Sequence, residues 1–290
     1  MLGYLVGVNV PGGTKLSALD GALREIAADG FEAAELNLSS CPLIIGGRLM
    51  KPVVEYMRTV LRKYDLHYTA HAGYGMDLRN LADQKLQHDV LFASIDACAE
   101  LGLNPLNLHY EEYSRKVPEE EAFFRNVREA ADYAQTKGVK LNVENIEVED
   151  YRYALEAVQK LNHPNVGMTL DLGHLFISSR YFGYDYMDAV RACAPYARHL
   201  HINDNNGVFE PMRLSNMQLY NTLDKGYRFA FSRGDIHIPP FWGDVPLKDA
   251  FRVLKDAKYG GIWLCEYYSH LFSPLNGDIL MNVRKMIAEA

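Results

Sequence analysis

Eight short apolar runs punctuate the chain, and amphipathic stretches of helical spacing lie between them. The runs read LVGVNV from Leu5, AAELNL from Ala33, HYTAHA from His67, PLNLHY from Pro105, VKLNVEN from Val139, VGMTLDLGH from Val166, RHLHIND from Arg198 and IWLCEY from Ile262. These are the patterns of short, buried strands. The stretches Leu81–Leu101, Glu119–Lys137, Asp150–Leu161 and Leu247–Lys258 repeat apolar residues three and four apart, with Gly102, Gly138 or Gly260 just past their ends. They are helices with stop signals, and a last amphipathic helix falls near Ile279–Ala288. Strand alternating with helix eight times over 290 residues predicts an α/β chain folded as a single (β/α)8 barrel, one domain over residues 1–290.

A chain of this length buries about three quarters of its unfolded surface and needs no covalent staples. Cys41, Cys98, Cys193 and Cys265 are scattered, with no CxxC, so they are expected to be reduced thiols, and Cys265 to face the helix layer. No apolar run approaches the ~20 residues needed to span a membrane, and the N-terminus lacks the basic start and cleavage site of a signal peptide, so a cytoplasmic protein is expected. A net charge of −7 argues against a nucleic-acid partner, since neutralising phosphates takes a basic face.

Nine residues that bind divalent metals sit at or just beyond the ends of these runs: His71, His109, Glu144, Asp171, His174, His201, Asp235, His237 and Glu266. Alternate residues on a strand face one side, so Thr69 with His71, Asn107 with His109, Asn142 with Glu144, Thr169 with Asp171, His199 with His201 and Leu264 with Glu266 point together. One inward histidine is unremarkable as a hydrogen-bonded core group. Nine such residues in a layer that normally holds branched apolar side chains are not, because unpaired buried carboxylates are costly. Imidazole and carboxylate without thiolate suit a divalent ion: Zn, Mn, Co, Fe or Mg. His67 and His199 lie one layer lower and are expected to hydrogen-bond to the donors. Glu35 and Asn37 face the same mouth from the second run; Glu147 and Glu149 read as the polar start of the next helix.

The segments HAGY at His71, LHYE at Leu108, VEN at Val143, DLGH at Asp171, HLHIND at His199, DIHIPP at Asp235, GDVPL at Gly243 and WLCEYY at Trp263 resemble, in this order, the signatures of the xylose-isomerase-like TIM barrels. That superfamily unites sugar isomerases and epimerases with endonuclease IV. The isomerase branch implies one metal on Glu144, Asp171, His201 and Glu266, with Glu144 and Glu266 as catalytic carboxylates that remove and return a proton while the metal polarises the substrate. In that branch His174 orients substrate. The endonuclease branch implies that all nine residues hold three zinc ions that drive phosphodiester hydrolysis, so His71, His109, His174, Asp235 and His237 are either further ligands or substrate-binding groups.

Two features favour a small carbohydrate-like substrate over a duplex. Residues 202–234 separate His201 from Asp235 by far more than the endonuclease pattern, placing an insertion at about 205–234. The loop after Asn37, SSCPLIIGGRLMKP, lacks the Gln- and Arg-bearing segment with which endonuclease IV enters DNA. The insertion is rich in Tyr and Phe, which argues against disorder. It is expected either to roof the substrate, with Arg213, Arg228 or Arg233 reaching an anionic group, or to pack on a second subunit of a homo-oligomer. Tyr74 and Trp242 are the expected substrate-binding aromatics.

Overall fold

The computed structural model describes residues 4–111 and 113–290. Eight parallel strands close a barrel: β1 (Val6–Asn9), β2 (Ala33–Asn37), β5 (His67–His71), β6 (Leu106–His109), β7 (Leu141–Glu144), β8 (Val166–Asp171), β9 (Ala197–Ile202) and β10 (Trp263–Cys265). Closure is made by β1 against β10, where Val6 pairs with Trp263 and Val8 with Cys265. A two-residue hairpin, β3 (Ile44–Ile45) with β4 (Arg48–Leu49), decorates the loop after β2. All eight apolar runs are therefore barrel strands, and their outward residues, among them Val6, Leu106, Val143 and Leu200, are buried under the helices.

The helical layer comprises α1 (Leu19–Ala28), α2 (Lys51–Leu61), α3 (Gln84–Leu101), α4 (Val117–Lys137), α5 (Tyr151–Leu161), α6 (Leu172–Phe182) and α7 (Tyr186–Cys193). Local chemistry sets the boundaries. The Asn80 side chain accepts the N–H groups of Ala82 and Asp83, a turn that delays α3 from the expected Leu81 to Gln84. Pro118 sits in the first turn of α4, which starts two residues earlier than expected. Gly102 and Gly138 close these two helices at φ near 74°, the left-handed geometry that glycine adopts without cost.

The insertion is not an extended loop. It folds into α8 (Met212–Ser215), α9 (Met217–Thr222) and α10 (Lys225–Ala230), short helices over the C-terminal mouth. The chain then returns through α11 (Leu247–Asp256) to β10 and ends on α12 (Asn276–Glu289). Among the described residues no helix is long and apolar enough to cross a membrane. Cys265 is fully buried in the core between barrel and helices, as expected.

Candidate metal centre at the barrel mouth

Strand ends gather the donors. His71 closes β5, His109 closes β6, Glu144 closes β7, Asp171 closes β8, His201 lies near the end of β9 and Glu266 follows β10. His174 comes from the first turn of α6, and Asp235 and His237 from the segment after α10. That segment is pinned by a backbone bridge between Asp204 and Ile238 (3.0 and 3.1 Å), while the Asp204 carboxylate accepts the N–H of Val245 at 3.0 Å. His237 is held at φ 41°, a left-handed value uncommon for any residue but glycine, with Nδ1 donating to the Glu266 carbonyl at 2.8 Å.

The nine residues form three adjoining groups: His71, His109 and Glu144; His174, Asp235 and His237; and Glu144, Asp171, His201 and Glu266. Within each, one donor atom per residue lies within 4.8 Å of the others. Glu144 belongs to two of them. Nδ1 of His201 lies 2.9 Å from Glu144, 3.1 Å from Glu266 and 3.9 Å from Asp171. One ring nitrogen carries at most one proton, which cannot satisfy three carboxylates, whereas a divalent cation takes all four donors at once.

Ring orientation points the same way. His71, His174 and His237 each place Nδ1 within 2.8–3.1 Å of a backbone carbonyl, of Ala72, Asn145 and Glu266 respectively. Donation there leaves Nε2 as the lone-pair nitrogen aimed into the mouth, the arrangement found in metal-ligating histidines. Glu144 Oε2, Glu266 Oε2 and Asp235 Oδ1 are buried and accept no hydrogen bond. The donor set and these oxygens fit a divalent cation on Glu144, Asp171, His201 and Glu266.

The electrostatics are those of a site built around positive charge. Burial works to raise the Glu144 carboxyl, but His201 and His71 outweigh it and hold it well below the usual range. Glu266 is treated alike, drawn to about 2 by His201. Burial, with repulsion from Glu266 and Glu144, pushes Asp171 up to about 6 against the pull of His174. Burial lowers each imidazole, yet Glu144 lifts His71 to about 9 and Asp235 lifts His237 to about 10. Burial and neighbouring His71 push His109 down to about 3. The acidic groups thus recruit protons onto histidines where a cation is lacking.

Several positioning groups were hidden inside the sequence motifs. Asn203 donates to both oxygens of Asp171 (3.2 and 2.9 Å), and Asn145 exchanges two hydrogen bonds with the Asp171 backbone (2.9 and 3.0 Å). Asn203, one residue past β9, keeps the alternation of His199 and His201, so strand parity identifies it; Asn145, one residue past β7, has the opposite parity to Glu144 and carries no such signal. Gly173 makes room for this clamp, since a Cβ there would lie 1.8 Å from Asn203 Oδ1. Gly173→Ala should therefore displace Asn203, costing about 1–3 kcal/mol as overpacking and weakening metal binding. Thermal melts and metal titration check this; a variant matching wild type in both would contradict it.

Above the donors opens a cavity of about 850 Å³, lined among others by Tyr74, Arg213, Tyr220, Arg228, Tyr268 and Glu147. Tyr74 stands at its rim, largely exposed. Arg213 pairs with Glu147 at 2.6 Å, and Arg228 bonds the Tyr220 hydroxyl at 2.6 Å and the Asp235 carbonyl. Glu147 is thus not the polar start of a helix: α5 begins at Tyr151 under an Asp150 cap, and Glu147 is buried in the cavity wall. Glu149 accepts the N–H of Tyr113. Trp242, expected to touch substrate, is not among the lining residues; it is half-exposed and packs edge-on against Phe272 at 5.3 Å. Arg233 does not line the cavity either. His67, expected beneath the donors, is exposed at the far end of β5, where solvent reaches the barrel floor. His199 does lie beneath them, 3.1 Å from Glu35.

A family model described as xylose isomerase-like TIM barrel matches residues 23–287. Among solved structures the chain is similar to a xylose isomerase-like TIM barrel protein from Mycobacterium smegmatis in complex with magnesium (TM-score 0.73, 17% identity, 98% of each chain). It is also similar to D-allulose 3-epimerase from Methylomonas sp. in complex with D-allulose (0.70, 16%, 98% of each). A third is 3-keto-D-glucoside 4-epimerase from E. coli (0.69, 14%, 97% of this chain and 99% of that one). At such identities the likeness carries the fold.

Proposed function

We propose, for a chain that belongs to the xylose isomerase-like TIM-barrel family, the function of a divalent-metal-dependent isomerase or epimerase acting on a small sugar-like polyol or keto acid. The observation that carries this reading is the convergence of Glu144, Asp171 and Glu266 on one nitrogen of His201, with Glu266 lining the cavity and the other three buried behind it. Those four residues would hold the ion, which when bound supplies Lewis-acid polarisation of a carbonyl and a neighbouring hydroxyl. Glu144 and Glu266, each keeping an oxygen without a hydrogen-bond donor, are the groups that remove and return a proton at the adjacent carbon. His174, tied to Asp235 at 3.3 Å, and Tyr74 at the rim orient the substrate.

Insertion helices α8 to α10 supply Arg213, Leu214, Met217, Tyr220 and Arg228 to the same cavity. A mouth roofed in this way suits a compact substrate that is to be sheltered from water. The structures with D-allulose and of a keto-glucoside epimerase support the same class. The test is incubation of Mn²⁺-loaded protein with ketoses, aldoses and keto acids in D₂O. Interconversion with deuterium taken up at the reacting carbon is expected; inertness toward the whole panel, alongside cleavage of a phosphodiester, would reject the reading.

One observation favours a second reading, endonuclease IV-like phosphodiester hydrolysis: the donors form three groups rather than one. His109→Asn separates the two. If the primary ion alone matters, the variant keeps one metal per chain and changes substrate affinity or turnover. If three ions are held, wild type contains three and the variant fewer, and wild type nicks abasic-site DNA at low salt.

A further inference from the structure

Beneath the donors lies a second polar layer that metal binding and proton transfer do not directly use. Glu35, Thr69, Asn107, Asn142, Thr169 and His199 point inward where barrels normally pack branched apolar side chains, and all are buried. Its centre is Glu35, 2% exposed. The two oxygens of that carboxylate are not equivalent. Oε2 accepts from Thr69 Oγ1 (2.7 Å) and Asn107 Nδ2 (2.6 Å) and lies 3.1 Å from His199 Nε2. Oε1 instead lies 2.9 Å from Nε2 of His201, off the N–H axis of the ring. Asn107 is itself fixed by Thr169, whose hydroxyl donates to Asn107 Oδ1 at 2.6 Å.

Three donors on one oxygen hold the carboxylate in a single pose and leave the other oxygen for His201 alone. The opposite nitrogen of that ring faces Glu144, Glu266 and Asp171. Resting on the metal-binding reading above, we propose that Glu35 is a positioning residue. Its negative charge, 2.9 Å from Nε2, favours the ring proton of His201 on that nitrogen, so that Nδ1 is offered to the cation, and it balances the imidazole as that ring gives electron density to the ion. A purely structural role would not require the carboxylate to be presented to the unligated side of the one histidine shared by all three acids. Such a role would also fit an apolar layer better, since a buried carboxylate is costly to keep.

The experiment compares Glu35→Gln with Thr69→Val by calorimetric titration of the chelator-treated full chain with Mn²⁺. The visible spectrum of the Co²⁺-loaded forms is recorded alongside. Glu35→Gln should stay folded and lose about 10–100-fold in Mn²⁺ affinity, as outer-shell partners of metal-bound histidines do, with a shifted Co²⁺ spectrum. Thr69→Val removes one donor from Oε2 while keeping the charge, and should bind Mn²⁺ much like wild type. Equal affinity in wild type and Glu35→Gln overturns the assignment, as does an equal loss in both variants, which would mark the layer as structural. Wild type failing to bind Mn²⁺ at all would instead overturn the functional reading. Should Glu35→Gln not fold, nitrogen NMR of the ¹⁵N-histidine-labelled, Zn²⁺-loaded wild type decides: His201 is expected to be protonated at Nε2 and metal-bound at Nδ1, and the reverse tautomer overturns the assignment.

Discussion

Replacing Glu144 by Gln should give the largest loss of any single substitution. The carboxylate belongs to two of the three donor groups, with His201 at 2.9 Å and His71 at 3.2 Å. Gln has the same shape, so the barrel should fold, but it removes a charge that both imidazoles and the proposed cation depend on. Metal affinity should fall by more than the 10–100-fold typical of losing an outer-shell partner. Turnover should fall a further 10²–10⁴-fold, the usual contribution of a positioned general acid or base. Asp171→Asn should weaken the metal in the same sense without the second effect, because Asp171 is given no proton to carry. Calorimetric titration and rate measurements on both variants check this; Glu144→Gln binding metal as tightly as wild type would contradict it.

The second large effect is on pH. In the metal-free protein Glu144 keeps His71 protonated up to about 9, and Asp235 keeps His237 protonated up to about 10. A cation on Glu144 and Glu266 cancels negative charge that holds those protons and repels the two imidazolium rings, so affinity should rise with pH, by up to about tenfold per pH unit for each proton released, and level off only above these two values. The sign is opposite for folding of the metal-free chain. A group whose pKa is raised in the folded state stabilises it fully below the unfolded value, near 6.5 for His, and loses that contribution as pH climbs through the folded value. Without metal the stabilisation from these two histidines is therefore lost between about pH 6.5 and 10, while with saturating Mn²⁺ stability should hold or grow across that window. Melts with chelator and with Mn²⁺ at a series of pH values check both arms. Metal affinity independent of pH between neutrality and 9 would contradict them.

The barrel was legible because its short strands keep apolar residues on the face that packs under the helices, with helices of clear three-and-four spacing between them. The donors were legible for a related reason: strand alternation places His71, His109, Glu144, Asp171 and His201 at one end of one face, and the structure brings them together. What escaped was set by tertiary packing. Glu147 looked like a helix start and is instead the partner of Arg213 from an insertion 66 residues away. His67 has the right parity for the interior but sits at the solvent-exposed floor. Trp242 has the chemistry of a sugar platform, yet its loop carries it to Phe272 rather than to the cavity. The insertion's short helices lack a strong periodic signal because they span only 4–6 residues each.

Anomalous diffraction from crystals grown without chelator and soaked in Mn²⁺ or Zn²⁺ locates the ion among the donors. A peak is expected bounded by Glu144, Asp171, His201 and Glu266, stronger than any beside His71 and His109 or beside Asp235 and His237. Those four side chains standing apart, with no peak among them in either soak, would contradict it.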